Sequence, residues 1–260
     1  PEQLENLRMG SQDMLQAPLV FWGEYQKDWR ILSLAFLWQS QEHLSKFLNS
    51  EIEEEIEKKF AEEQNVVLVS TNWFRPFNII STKKPIRKLA DLDGLKMRVP
   101  EIEMYKKNWE AMGCKATPVS WGEVYLALQQ GVVEGVDLPI DFLKGMKFYE
   151  VAPYVAMTRH LFTNAGVHIN KDTWESLPKL AQEIIIEAAN EAGDFYTNLS
   201  EGSWKRDVKQ IQEEEDVEFI ELPESEMEKF RSRAKQLAEE LASEGFWSEG
   251  LYEGIQALAQ

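Results

Sequence analysis

Apolar and polar positions change period from block to block along the chain, and the changes predict an alternation of helices and strands. Leu4 and Leu7, three residues apart, predict a short opening helix that stops at Gly10. A polar stretch and Pro18 follow, and residues 25–38 are aromatic and apolar. A charged helix is expected over residues 40–47. Residues 51–64 carry Ile52, Ile56 and Phe60 at i, i+4 and i+8, the stripe of an amphipathic helix. The seven glutamates around that stripe are expected to form a solvated face. Residues 66–70 are a continuous β-branched and apolar run, the pattern of a buried parallel strand.

Further on, Asp93-Gly94 turns the chain into residues 95–99, where Leu95, Met97 and Val99 alternate with Lys96 and Arg98 until Pro100 stops the strand. A helix over residues 104–112 is expected to end at Gly113. Residues 115–119 predict a short extended piece. Ser120-Trp121-Gly122-Glu123 reads as a capping box, opening a helix that Gly131 ends. Val132, Val133 and Val136 predict a strand before Pro139, and two more strands are expected over residues 154–158 and 166–169. Ser176 is expected to cap a long helix, with Pro178 in its first turn and periodicity to about residue 215. Such a helix would be ~57 Å long at ~1.5 Å per residue, more than one small lobe needs, so it is expected to tie two lobes together. Residues 217–222 predict a strand, and Ser225-x-x-Glu228 is expected to cap a last helix through Phe230, Ala234, Leu237 and Leu241. Strand, helix, strand, helix in this order predicts parallel pairing and an α/β fold.

Length agrees with two lobes, since 260 residues is a little under two domains of ~150. Lysine and arginine total 28 against 45 acidic residues, a net charge of −17. That balance argues against a nucleic-acid partner and against adhesion to an anionic membrane surface. Nine tryptophans must fill cores or line ligand sites. Cys114 stands alone, which rules out an internal disulfide and a multi-cysteine zinc site. No run approaches the ~18 apolar residues of a membrane span, and no basic-then-apolar segment opens the chain. Pro1 is not an initiator methionine, so the chain is expected to be a processed or partial product.

Motifs for enzymatic chemistry are missing from the sequence. It has no phosphate loop, no dinucleotide fingerprint and no nucleophile elbow. His43, His160 and His168 are not spaced as metal ligands, so no metal and no cofactor are expected. Cys114 and His168 lie beside apolar residues and read as packing or surface positions. With so many carboxylates, no pair of them is marked as an acid–base couple, and no catalysis is expected.

Arg98 stands out by its surroundings. On a strand, an arginine is ordinarily exposed or salt-bridged. Here Gly94-Leu95-Lys96-Met97-Arg98-Val99-Pro100 resembles the strand motif of the solute-binding proteins of TRAP transporters, the DctP family. The likeness continues through Pro118, Trp121, Glu123-Val124-Tyr125 and Ala127-Leu128-Gln129-Gln130-Gly131-Val132-Val133-Glu134-Gly135. It runs on through Pro139, Phe148-Tyr149-Glu150-Val151, Met157-Thr158-Arg159-His160, Asp172-Thr173-Trp174 and Leu177-Pro178. It is densest over residues 81–195 and weaker before residue 65.

The resemblance implies a two-lobe periplasmic-binding-protein fold that closes about a hinge over a buried ligand. Residues 1–75 and 164–203 are expected to form lobe I, and residues 76–163 and 204–260 lobe II. By the same resemblance Arg98 holds a ligand carboxylate through a paired contact, which a planar guanidinium suits. Trp121 lines the pocket at a helix N-terminus that favours an anion, and His160 falls where some members place a polar pocket residue. Trp73, Phe74 and Arg75 fall where the family contributes a further pocket loop, with Asn78 the nearest polar match and core packing the alternative for the aromatic pair, and Asp137 is expected to be structural. Where the family often has a ligand-binding asparagine this chain has Leu138, which suggests a less polar acid, such as a mono-acid with an apolar or aromatic tail.

Family members begin with a strand and a helix that this chain lacks, so a longer protein with an export signal is expected. The expected role is a periplasmic, monomeric protein that captures an organic acid and delivers it to a TRAP membrane permease. A co-receptor for a sensory kinase is the alternative.

Overall fold

Two β-sheets organise the molecule, and each draws strands from distant parts of the chain. The computed structural model describes residues 2–259, so Pro1 and Gln260, the outermost residues of the expected lobe ranges, lie outside it. The chain opens with α1 (Glu2–Arg8), which buries Leu4 and Leu7. After β1 (Met14–Pro18), two 3-10 helices, Leu19–Glu24 and Lys27–Ser33, carry the aromatic segment into the core, with Trp22 and Trp29 fully buried. Both α2 (Gln41–Leu48) and α3 (Glu51–Gln64) start on a serine, Ser40 and Ser50, whose hydroxyl accepts from the amide three residues on. Ile56 and Phe60 face the core as their spacing predicts, but the glutamate face is not wholly solvated, because Glu53 is only 4% exposed.

The remaining elements are β2 (Val66–Phe74), β3 (Asn78–Thr82), β4 (Lys96–Val99), α4 (Glu103–Ala111), β5 (Lys115–Pro118), α5 (Val124–Gln130), β6 (Gly135–Pro139) and α6 (Phe142–Met146). They are followed by β7 (Tyr154–Ala156), β8 (Asn164–Asn170), α7 (Lys171–Ser176), α8 (Lys179–Glu214), β9 (Glu218–Ile220), α9 (Glu224–Ser243) and α10 (Leu251–Ala257). The first sheet has the order β1-β8-β2, and both pairings are antiparallel. The parallel pairing expected for residues 66–70 is therefore corrected: their neighbour is β8, which arrives about a hundred residues later running the other way. Gly166 on β8 sits where the β2 register slips, and a Cβ there would collide with the Ser70 carbonyl.

The second sheet has the order β5-β4-β6-β3-β7-β9. Here β4 pairs parallel with both β5 and β6, as the strand–helix alternation predicts, while β3 runs antiparallel to β6 and β7. Three helix starts differ from expectation. Ser120 bonds the Glu123 carboxylate rather than a backbone amide, and a 3-10 turn precedes α5. Ser176 ends α7 instead of capping α8, because Leu177, preceding a proline, is driven to an extended conformation. Ser225 lies inside α9, whose cap is Pro223.

The chain crosses between the sheets three times, last through α8, and the first two crossings lie side by side. One is the short link from β2 to β3 and the other leads from β7 to β8. The Arg75 amide donates to the Thr163 carbonyl (3.0 Å) and the Asn78 amide to the Leu161 carbonyl (2.8 Å). Over its 36 residues, ~54 Å at ~1.5 Å per residue, α8 touches elements of both sheets. Asn72 of β2 bonds the Asn190 carbonyl and Asp194, whereas Tyr196 and Ser200 bond Asp141, and Lys144 pairs with Asp207 at 3.0 Å. At the C-terminal end α9 packs on α4, and α10 packs against residues 37–43 through His43 and the Ile255 carbonyl (2.8 Å) and through Gln256 and the Leu37 carbonyl (2.8 Å). Among the described residues no helix is long and apolar enough to cross a membrane.

Candidate functional site

At the C-terminal ends of the parallel strands β4, β5 and β6, facing the segment after β1, lies a cavity of about 340 Å³. Carboxyl ends of parallel strands are where open α/β sheets place ligands, because side chains there face a crevice rather than a covering helix. Arg98 comes from β4, Trp121 from the turn after β5, and Asp137 and Pro139 from β6. Arg75 and Thr163 come from the two side-by-side crossings, Asn78 from the first position of β3, and Pro18, Val20 and Phe21 close the opposite wall.

Strand alternation explains why Arg98 points here. Met97 and Val99 are fully buried in the core, which turns Arg98 to the other face, and its place at the strand end carries it under the cavity. Its Nε donates to the Val119 carbonyl at 2.9 Å, and its guanidinium carbon lies 5.3 Å from the centroid of the Trp121 ring. Arg98 is 5% exposed, and burial pulls its pKa down while the charge of Asp137 pushes it back up. Arg75 is half-buried, its guanidinium carbon 4.2 Å from the centroid of Phe142, and its Nε is buried with no hydrogen-bond partner. Among the described residues no carboxylate forms an ion pair with Arg75 or Arg98, whereas Arg8, Arg87 and Arg159 each have one and Arg231 has two.

Asp137 is the one carboxylate lining the cavity, and it is already engaged. One oxygen accepts from Asn78 Nδ2 (2.6 Å) and the other from Trp109 Nε1 (3.0 Å). His160 Nε2 lies 3.2 Å from that second oxygen, outside hydrogen-bond alignment, while its Nδ1 is 2.7 Å from Thr158 Oγ1. Burial, and then the charge of Asp137, raise the pKa of the neighbouring Tyr105 hydroxyl, so it stays protonated. Counting charges at the cavity gives two guanidinium cations against one carboxylate, a net positive site in a chain of net charge −17. Such a site attracts an anion and has in-plane guanidinium donors to meet it.

Of the residues singled out from sequence, Arg98, Trp121 and Asn78 line this one cavity. His160 stands one layer behind it, supporting Asp137 and packed edge-on to Trp109 with ring centroids 5.1 Å apart. Leu138 does not line it: it shares the Arg98 face of the sheet with Val136, but there it is fully buried in the apolar core beside Val136 and Ile79, while Asp137 and Pro139, on the other face, reach the cavity at the strand end. Sealed in that core, Leu138 has no part in setting how polar the ligand is, contrary to the expectation from sequence. Trp73 is also elsewhere, donating to Ser70 Oγ and the Ala189 carbonyl and stacked near Tyr196 against α8. Sequence reasoning passed over Tyr105 and Phe142, placed Arg75 at the further pocket loop without giving it a role, and read Asp137 as structural, whereas both line the cavity. For Asp137 the signal was available, since a lone carboxylate inside an otherwise apolar strand is the informative residue.

The family model described as bacterial extracellular solute-binding protein, family 7 (DctP) matches residues 1–244. A solute-binding protein of Roseobacter denitrificans is 30% identical over 200 residues, which cover 75% of this chain and 60% of the relative. The sialic acid-binding periplasmic protein SiaP of Vibrio cholerae is 29% identical over 194 residues, with the same two coverages. The chain thus spans about 60% of the length of these relatives. Among solved structures, a TRAP periplasmic solute binding protein of Chromohalobacter salexigens with bound D-glucuronate matches with a TM-score of 0.92 at 26% identity, over 99% of this chain and 84% of that one.

Proposed function

The chain belongs to family 7 of the bacterial extracellular solute-binding proteins, and from that premise we propose that it captures a small organic acid in the cavity between its sheets. One observation carries the reading: two arginines line the cavity and neither is paired with a carboxylate of the protein. A buried cation without a counter-ion is costly, and a ligand carboxylate that displaces water from the guanidinium offsets that cost. The bound acids named for similar proteins, sialic acid and glucuronate among them, agree with this chemistry.

Arg98 is the principal anchor, because it is the more deeply buried of the two and its Nε is tied back to Val119, which leaves the terminal nitrogens for the ligand. Arg75 supplies the second cation, and Asp137 holds the charge balance behind them. The site carries out no chemical step. In the whole protein this capture would serve delivery to a TRAP-type membrane permease from the periplasm, by a chain acting as a monomer, with residues 1–75 and 164–203 in one lobe and residues 76–163 and 204–260 in the other. A thermal-shift panel of carboxylic acids, each beside its uncharged amide, tests the reading. At least one acid should raise the melting temperature, by linkage to binding, where its amide does not. Equal shifts from acid and amide would remove the arginines from the anchoring role.

A further inference from the structure

We infer that the cavity selects a small monocarboxylate with a flat, largely apolar body such as one aromatic ring, in preference to a polyhydroxylated sugar acid or a dicarboxylate. The inference rests on the reading of the cavity as an organic-acid site and specifies which acid it takes.

Charge comes first. Arg75 and Arg98 against Asp137 leave one net positive charge at the cavity, which one carboxylate neutralises. A second carboxylate on the ligand would turn that balance to one net negative charge, with Asp137 close to both ligand carboxylates, and burying an uncompensated charge is heavily penalised.

The supply of acceptors is the second argument. Each hydroxyl of a buried sugar brings a proton that needs an acceptor, or its desolvation is lost. Acceptors here are few and mostly engaged. Both Asp137 oxygens take donors from Asn78 and Trp109, the Thr163 carbonyl takes the Arg75 amide, and the Val119 carbonyl takes Arg98 Nε. Asn78 Oδ1 is buried at this site with no partner, and the Tyr105 and Thr163 hydroxyls are the other side-chain acceptors on its lining, so only a few ligand hydroxyls could be met.

The shape and chemistry of the wall give the third. Arg98, Trp121, Phe142 and Arg75 form a continuous row, with Trp121 and Phe142 ring centroids 5.6 Å apart and a guanidinium beside each ring. Trp121 stays 36% exposed beside its guanidinium, which leaves ring surface for a flat ligand body. Phe21, Ile102 and three prolines complete an apolar enclosure. At about 340 Å³ the space is near the small end for ligand pockets, suited to a single ring.

Titration calorimetry on the purified chain tests this with 3-phenylpropionate and 3-phenyllactate set against D-glucuronate, D-galacturonate, succinate and butyrate. An aromatic acid should bind at least about tenfold more tightly than each of the other four, a margin within reach of one well-placed aromatic pair plus its buried area. Phe142→Ala should weaken the aromatic acid by about tenfold or more. Phe142→Leu, which keeps the bulk, should show part of that loss and guards against a folding defect in the alanine variant. Tighter binding of a uronate, succinate or butyrate, abolished by Arg98→Ala, would overturn the inference while leaving organic-acid capture standing. Failure of all six acids to bind would overturn both.

Discussion

Replacing Glu53 by glutamine should flatten the stability of the protein between pH 6.5 and pH 8. Glu53 sits in the first turn of α3, 4% exposed, with Oε1 buried and unpartnered. Burial, and then the charges of Glu57 and Glu54, push its carboxyl up from 4.5 to about 8. The folded protein therefore holds a proton on Glu53 that the unfolded chain releases above pH 4.5, so this contribution is complete below pH 4.5 and is lost as pH rises to 8. At ~1.36 kcal/mol per pH unit, the whole window of 3.5 units is worth about 5 kcal/mol. His168 acts in the opposite sense, because burial lowers its pKa from 6.5 to about 3, so its contribution is complete above pH 6.5 and fades toward pH 3. Between pH 4.5 and 6.5 the two slopes cancel. From pH 6.5 to 8 Glu53 acts without that opposition, and the 1.5 units there cost about 2 kcal/mol. Urea unfolding followed by tryptophan fluorescence, from about pH 5 to about pH 9, reads this directly. Wild type should lose about 2 kcal/mol over the upper window on top of what Glu57 contributes, and Glu53→Gln only the Glu57 share, whose pKa is raised in the same sense. An equally steep fall in Glu53→Gln, or a variant less stable than wild type at pH 8, would refute the reasoning.

Three further outcomes follow from the same geometry. Arg98→Ala should weaken the acid that binds best by ~2–5 kcal/mol, roughly 30-fold to several thousand-fold, in titration calorimetry; a loss under about threefold would contradict its role. Leu138→Asn should lower stability by ~1–3 kcal/mol in chemical denaturation, by burying an amide among apolar side chains, while leaving the affinity for the acid unchanged. Gly166→Ala should destabilise by ~1–3 kcal/mol, because its Cβ meets the Ser70 carbonyl and backbone must shift; a neutral result would show that the β2–β8 slip relaxes freely.

Helix stripes and strand alternation were legible wherever one face is solvated. Ile56 and Phe60, Phe230 through Leu241, and Met97 with Val99 all point as their spacing requires. Pairing partners were not legible for β2, because the strand that covers it comes from residues 164–170, and a local run of valines carries no trace of direction. At the site, Arg98 and Trp121 could be found because a motif brackets them. A motif column points to Leu138, which does share the face of Arg98, but the apolar core covers it there, and Asp137 of the other face reaches the cavity at the strand end instead. Arg75 and Thr163 belong together only because two chain crossings lie side by side, a tertiary fact without a local pattern.

A crystal structure of the chain with the carboxylate that binds best tests the central claim most directly. The account predicts both carboxylate oxygens within ~2.7–2.9 Å of guanidinium nitrogens of Arg98, with Arg75 flanking the same group. A carboxylate turned to solvent, or held elsewhere with both arginines untouched, would contradict it.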